Sequence, residues 1–160
     1  MHTLSEKIER LKSCALFEAL SYAELKAVSL AASEVTCASG EIVFREGEPG
    51  DDAYLLLAGE AEAVATLKNG RTVLLATFRR NDLFGEFSLL SNCPRTATVV
   101  ATTDLRALCF QKDAFLEIVT RSPAVALKIM DFLVKRLLRT QERLLEVIAS
   151  GPPNRQGLRK

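Results

Sequence analysis

Phe84-Gly85-Glu86-Phe87-Ser88-Leu89-Leu90-Ser91-Asn92-Cys93-Pro94-Arg95-Thr96-Ala97 is the stretch on which the reading of this chain turns. A glycine at the end of a strand opens a short helix whose first residues include Glu86. Free backbone N–H groups at such a helix start attract an anion. Nine residues after Glu86, Pro94-Arg95 presents a guanidinium at the mouth of the next strand. Its planar fork suits two parallel bonds to phosphate oxygens. Glu86 would repel a phosphate unless it accepted hydroxyl hydrogen bonds, which a ribose can offer. Two arrangements satisfy these residues: an anion-plus-diol site for a nucleotide, or a Glu86–Arg95 ion pair that holds a loop.

On either side the chain reads as short strands broken by turns over 40–110. Ile42-Val43-Phe44 precedes the turn-rich Gly47-Glu48-Pro49-Gly50, and Tyr54-Leu55-Leu56-Leu57 stops near Gly59. Val64 to Leu67 and Thr72 to Phe78 flank Asn69-Gly70, a strong two-residue hairpin signal. Thr96 to Ala101 and Leu105 to Phe110 follow. Strands this short and closely spaced predict a small antiparallel barrel or jelly roll. Asp51-Asp52 reads as a turn.

The flanks are helical. Over 4–33, Leu4, Ile8, Leu11 and Cys14 recur at helical spacing, and Ser21 with Glu24 forms a capping signature before Leu25 and Val28. From 112 a short helix runs to Val119, and Ser122-Pro123 starts a long one ending near Ala149. In that helix Leu127, Met130, Val134, Leu137, Gln141, Leu144 and Ile148 follow alternating spacings of three and four. This is the pattern of a two-helix seam with one polar core residue, and predicts a homodimer through 123–149. Phe132, Leu133, Leu138 and Leu145 widen the apolar face, so packing on the chain's own barrel is the other reading.

Composition narrows the function classes. The 160 residues carry 21 Lys+Arg against 20 Asp+Glu, without the basic excess of a broad nucleic-acid footprint. His2 is the sole histidine, which argues against a Ser-His-Asp triad or a His-ligated metal. Cys14, Cys37, Cys93 and Cys109 include no Cys-x-x-Cys, so a thiolate cluster is not expected and reduced thiols are. The N-terminus lacks an apolar signal core and no run reaches membrane-spanning length, which predicts a cytoplasmic chain. Charge is split: 34–70 holds eight acids and two bases, and 128–160 holds eight bases and three acids. The basic end is either a solvated helix face or a contact for an acidic partner or membrane surface.

The cassette 84–97 resembles, element by element, the phosphate-binding cassette of cyclic nucleotide-binding domains. Gly40-Glu41-Ile42-Val43, Arg45 to Asp51, and Tyr54-Leu55-Leu56-Leu57-Ala58-Gly59 resemble that family's early strands and turns. Leu16-Phe17 with Leu20-Ser21 and Glu24-Leu25 resembles its N-terminal helical segment, so the likeness covers about 13–145. It implies an α+β, mainly β fold: an eight-stranded antiparallel β-roll with N-terminal helices and a long C-terminal helix. One domain over 1–150 and a flexible tail over 151–160 are expected.

The resemblance also implies a ligand and a site. Arg95 would hold a cyclic phosphate and Glu86 the ribose 2′-OH. Gly85 would allow close backbone approach, with Phe84, Phe87, Ser88 and Ala97 completing the cradle. Thr96, Arg136, Thr140 and Gln141 fall where the family meets the purine. The expected ligand is cAMP, with cGMP the alternative, and no cofactor or metal is expected beside it. No catalytic constellation is recognisable, so a sensor acting through its C-terminal helices on a protein effector is the expectation, rather than an enzyme. Ten residues after the long helix are too few for a DNA-binding domain. The rival readings are a dimeric scaffold whose pocket takes another ligand, such as a cyclic dinucleotide, or a fragment of a larger receptor.

Overall fold

Two capping boxes start the chain's helices, and each follows from local sequence. In the computed structural model, which describes residues 3–150, Thr3 caps α1 (Leu4–Lys12) through Glu6, and Ser21 caps α2 (Tyr22–Ala31) through Glu24. Ile8, Leu11, Leu25 and Val28 turn inward from these two helices. The expected tail over 151–160 and His2 lie outside the described residues.

The helical reading of 4–33 runs two residues too far. Ala32 is already extended, and β1 (Ala32–Cys37) leaves α2 without a loop. Its partner explains the switch: β1 pairs along its whole length with β8 (Leu105–Gln111), from Ala32 opposite Phe110 to Cys37 opposite Leu105. Those ladder bonds override the helix propensity of the alanines. The roll therefore begins before residue 40 and ends at Gln111.

Eight antiparallel strands form two four-stranded sheets. The first has the order β1-β8-β3-β6, with β3 at Asp52–Ala58 and β6 at Leu83–Phe84. The second is β2-β7-β4-β5, comprising Ile42–Phe44, Thr98–Ala101, Ala61–Thr66 and Thr72–Phe78. Asn69-Gly70 closes the β4–β5 hairpin as expected, with Leu67 N donating to Arg71 O at 2.8 Å. β7 starts at Thr98 rather than Thr96, because Arg95 is engaged in backbone pairing with the 45–48 turn.

Between β6 and β7 stands the short α3 (Glu86–Ser91), and after β8 come α4 (Lys112–Arg121) and α5 (Pro123–Ala149). Ser122 caps α5 and Pro123 occupies its first turn, as the sequence predicts. The core has two parts. One, around Phe78, Phe84, Val99 and Ala107, fills the roll. The other, around Leu55, Phe110, Phe115, Val125 and Ile129, joins the outer face of the first sheet to the helices.

One face of α5 packs on the chain's own roll, and the other stays exposed. Val125 and Ile129 are buried, and Phe132 and Leu133 pack on the core. Leu127, Met130, Val134, Leu137, Leu144 and Ile148, all seam positions, are each more than half exposed. All four cysteines are free thiols. No described helix is long and apolar enough to cross a membrane.

Candidate functional site

The cassette and α5 enclose a cavity of about 400 Å³ inside the mouth of the roll. That size lies in the range of small-molecule sites. Its floor is aromatic: Phe84 stacks on Phe78 at 5.0 Å and on Tyr54 at 5.2 Å, with Phe44 at 6.2 Å. Ala63, Ala76, Ala97 and Val99 leave space where larger side chains would fill it.

Arg95 stands on one wall, held from several sides. Its backbone N donates to Glu48 O and its O accepts from Gly47 N, each at 2.8 Å. The guanidinium is buried; NH1 donates to Gly85 O at 2.8 Å and NH2 pairs with Asp52. The Phe44 ring lies 4.0 Å beneath its central carbon, a cation–π contact. Gly85 is required for this fit: its φ is +82°, and a Cβ there would come within 2.8 Å of Arg95 NH1. Gly50 serves the opposite side, where a Cβ would overlap Ser88 at 2.2 Å.

Glu86 is fully buried on the other wall. Its Oε1 accepts from Arg136 NH1 at 2.5 Å, and Arg136 NH2 donates to Leu83 O at 2.6 Å. Three rings surround that guanidinium: Phe132 at 4.5 Å, Phe78 at 5.2 Å and Phe87 at 5.4 Å. Burial pushes the Glu86 carboxyl above the usual carboxylate range, while Arg136 and, more weakly, Arg95 pull it down. Burial lowers the Arg136 guanidinium, Glu86 and Asp82 raise it, and Arg139 adds a lesser repulsion.

A Glu86–Arg95 ion pair, one of the two readings of the sequence, does not form. Each residue pairs elsewhere, Glu86 with Arg136 and Arg95 with Asp52. Among the described residues three buried side-chain polar atoms have no hydrogen-bond partner. Two of these, Glu86 Oε2 and Arg95 Nε, belong to residues lining this cavity.

Nearly every residue singled out from sequence lines the cavity: Phe84, Gly85, Glu86, Phe87, Ser88, Arg95, Thr96, Ala97, Arg136 and Thr140. Two placements differ from expectation. Arg136, expected toward a purine, is turned to Glu86, because a buried carboxylate demands a partner more strongly than a solvated rim does. Gln141 is exposed and outside the lining, because it follows Thr140 by one helical step and so faces the apolar stripe. Thr140 lines the rim, with its hydroxyl donating to Arg136 O at 3.0 Å.

Asp52 and Phe44 were missed as site residues. Where the sequence predicts a turn at Asp51-Asp52, Asp52 begins β3 and pairs with Arg95. An acid at a strand start, where propensity disfavours it, was the available signal. No group of three or more potential metal-ligating side chains occurs among the described residues.

Comparison with known proteins agrees with this geometry. The family model of the cyclic nucleotide-binding domain matches residues 34–122. The chain is 29% identical over 147 residues to the CRP-like cAMP-activated global transcriptional regulator of Mycobacterium tuberculosis, covering 92% of this chain and 66% of that protein. It is 42% identical over 76 residues to the cAMP-dependent protein kinase regulatory subunit of Pyricularia oryzae, 48% of this chain and 19% of that one. The Thermus thermophilus Catabolite Activator Protein superposes with a TM-score of 0.73 at 28% identity, covering 84% of this chain and 63% of that one. The N-terminal domain of a Streptomyces coelicolor A3(2) transcriptional regulator superposes at 0.64 with 32% identity, covering 83% and 95%. The chain thus spans less than two thirds of the curated relatives named here. By the family model and the roll that carries its cassette, the chain belongs to the cyclic nucleotide-binding domain family.

Proposed function

We propose that this chain is a regulatory module that binds a cyclic purine mononucleotide, cAMP in preference to cGMP, and signals through α5. The carrying observation is the pair of buried, unpartnered polar atoms, Glu86 Oε2 and Arg95 Nε, on residues lining one aromatic-floored cavity. Buried polar atoms are almost always satisfied; a ribose hydroxyl supplies the donor that Glu86 Oε2 lacks, and a phosphate oxygen the acceptor that Arg95 Nε lacks. Arg95 takes the phosphate, and Glu86 takes the 2′-OH. Gly85, Ser88 and Ala97 let the backbone approach, while Phe84 and Phe87 wall the ligand. Thr96 and Thr140 meet the purine edge, and Gln141 does so from the second copy of a dimer.

The signal follows from Arg136, which holds α5 to the same carboxylate that the ribose would use. Ligand entry re-divides Glu86 between a hydroxyl and a guanidinium and so shifts the balance between two α5 positions. A ligand moves such a balance only by its difference in affinity for the two arrangements. The exposed stripe from Leu127 to Ile148 supports a homodimer, through which the shift reaches a protein effector. The role is regulatory rather than catalytic, in a soluble cytoplasmic setting.

Calorimetric titration with cAMP and with cGMP tests this reading. Saturable binding that Arg95→Ala abolishes supports it. Absence of heat with either nucleotide, or equal affinity in the variant, would falsify it.

A further inference from the structure

Beside the nucleotide pocket lies a second cavity of about 310 Å³, between the outer edge of β5 and the α5 face turned toward it. The two cavities are neighbours, with Leu75, Ala76, Phe78, Arg136 and Thr140 in both linings. Their chemistry is opposite. The first is mostly apolar; the second is lined by Arg79, Arg136, Arg139 and Arg143 against a single carboxylate, Asp82.

The pairing of those charges leaves an excess. Arg136 is used by Glu86, and Arg79 by an exposed contact with Glu60 at 3.3 Å. Asp82 accepts from the backbone N of Arg79 at 2.8 Å. Arg139 and Arg143 bond only backbone carbonyls, Lys135 O at 3.3 Å and Leu75 O at 3.0 Å, with no carboxylate partner among the described residues. Arg136, Arg139 and Arg143 recur every three or four residues on one flank of α5, away from the exposed apolar stripe. Two guanidiniums bonded only to carbonyls around a cleft, with a third fork beside them, are arranged to take a multiply charged oxyanion. Nothing in the nucleotide reading uses them.

We infer that the Arg79–Arg139–Arg143 cleft is a phosphate-binding subsite beside the nucleotide pocket. The phosphate comes either from the same ligand, as the second phosphate of a cyclic dinucleotide, or from a separate phosphate-bearing anion seated beside a bound mononucleotide. In the first case the subsite sets ligand class. In the second it makes the α5 position responsive to two signals, because the anion bridges β5 to the helix that Arg136 latches. The dinucleotide case rests on the proposed nucleotide pocket; the separate-anion case does not.

The test uses the full chain and the double variant Arg139→Gln/Arg143→Gln. Both positions are exposed, so the fold is expected to be kept, and thermal melting checks it. Four probes are titrated: cAMP, cyclic di-AMP, cyclic di-GMP, and inorganic pyrophosphate with and without saturating cAMP. The expected result is cAMP affinity within about threefold of wild type, since exposed charges act weakly at a distance. For the phosphate-bearing probe the variant loses about tenfold or more, as expected for charge-assisted bonds. Loss confined to the dinucleotides assigns the phosphate to one ligand; loss confined to pyrophosphate assigns it to a second. Variant and wild type binding both probes equally, or neither protein binding either probe, overturns the subsite. Loss of cAMP binding in wild type with a variant-sensitive pyrophosphate site would refute the nucleotide pocket and leave the subsite standing.

Discussion

Arg136 of α5 and Glu86 of the cassette, fifty residues apart in sequence, form an ion pair at 2.5 Å whose carboxylate is wholly buried. In the proposed function this pair joins the carboxylate that would take a ligand hydroxyl to the helix that would move. A carboxylate shared between the two would couple binding to the position of α5 through charge compensation.

Arg136→Ala removes the partner of a buried carboxylate. Breaking such a pair costs about 3–5 kcal/mol when the remaining charge stays buried, and somewhat less where Glu86 can take up a proton. The expected loss at neutral pH is about 2–3 kcal/mol by chemical denaturation. Backbone amides of 123–149 exchange faster in the variant. Unchanged exchange there would show that α5 is held by its apolar face alone.

Glu86 sets a pH dependence. Its carboxyl is raised in the folded chain by burial, so between the unfolded and folded pKa values the folded state binds more protons than the unfolded. Its contribution is therefore fully present below the unfolded value, about 4, and lost as pH rises through the folded one. Stability of wild type relative to Glu86→Gln should fall from pH 4 upward and flatten above the folded pKa. A difference that grows in favour of wild type over that range would contradict the raised carboxyl.

Gly85→Ala places a Cβ within 2.8 Å of Arg95 NH1 at a φ of +82°. The left-handed backbone alone costs about 1–2 kcal/mol, and the guanidinium must also move. A fall in melting temperature together with a fall of about tenfold in cAMP affinity is expected, since 1.4 kcal/mol corresponds to one decade. Retained affinity would mean that Arg95 tolerates displacement.

Leu144→Arg tests the stripe. Leu144 is 57% exposed and outside the pocket lining, so the protomer should keep its stability and its nucleotide affinity. Sedimentation should show a dimer for wild type and a monomer for the variant, because a charge in a two-helix seam stays unpaired on association. Identical sedimentation of the two proteins would remove the seam.

Much of this molecule follows from short-range pattern. The two capping boxes, the Asn69-Gly70 hairpin and the Ser122-Pro123 helix start each depend on residues within a few positions of one another, and Gly85 and Arg95 lie ten apart. Local dihedral and hydrogen-bond preferences decide such features, so the helix starts, the short strands and the Gly85, Glu86 and Arg95 cluster are legible in the chain itself, while the other seven expected residues that line the cavity follow from the family resemblance. The charge partners follow from the folded arrangement alone. Asp52 meets Arg95 across 43 positions and Arg136 meets Glu86 across 50, and no sequence period encodes either choice. The early start of β1 and the two-residue β6 belong to the same class, since each exists only through the ladder its partner strand provides. The near-neutral net charge hides the same lesson. Whether a cation is solvated, paired or left facing a cleft depends on what the fold brings against it, and the fold leaves Arg139 and Arg143 with only carbonyls.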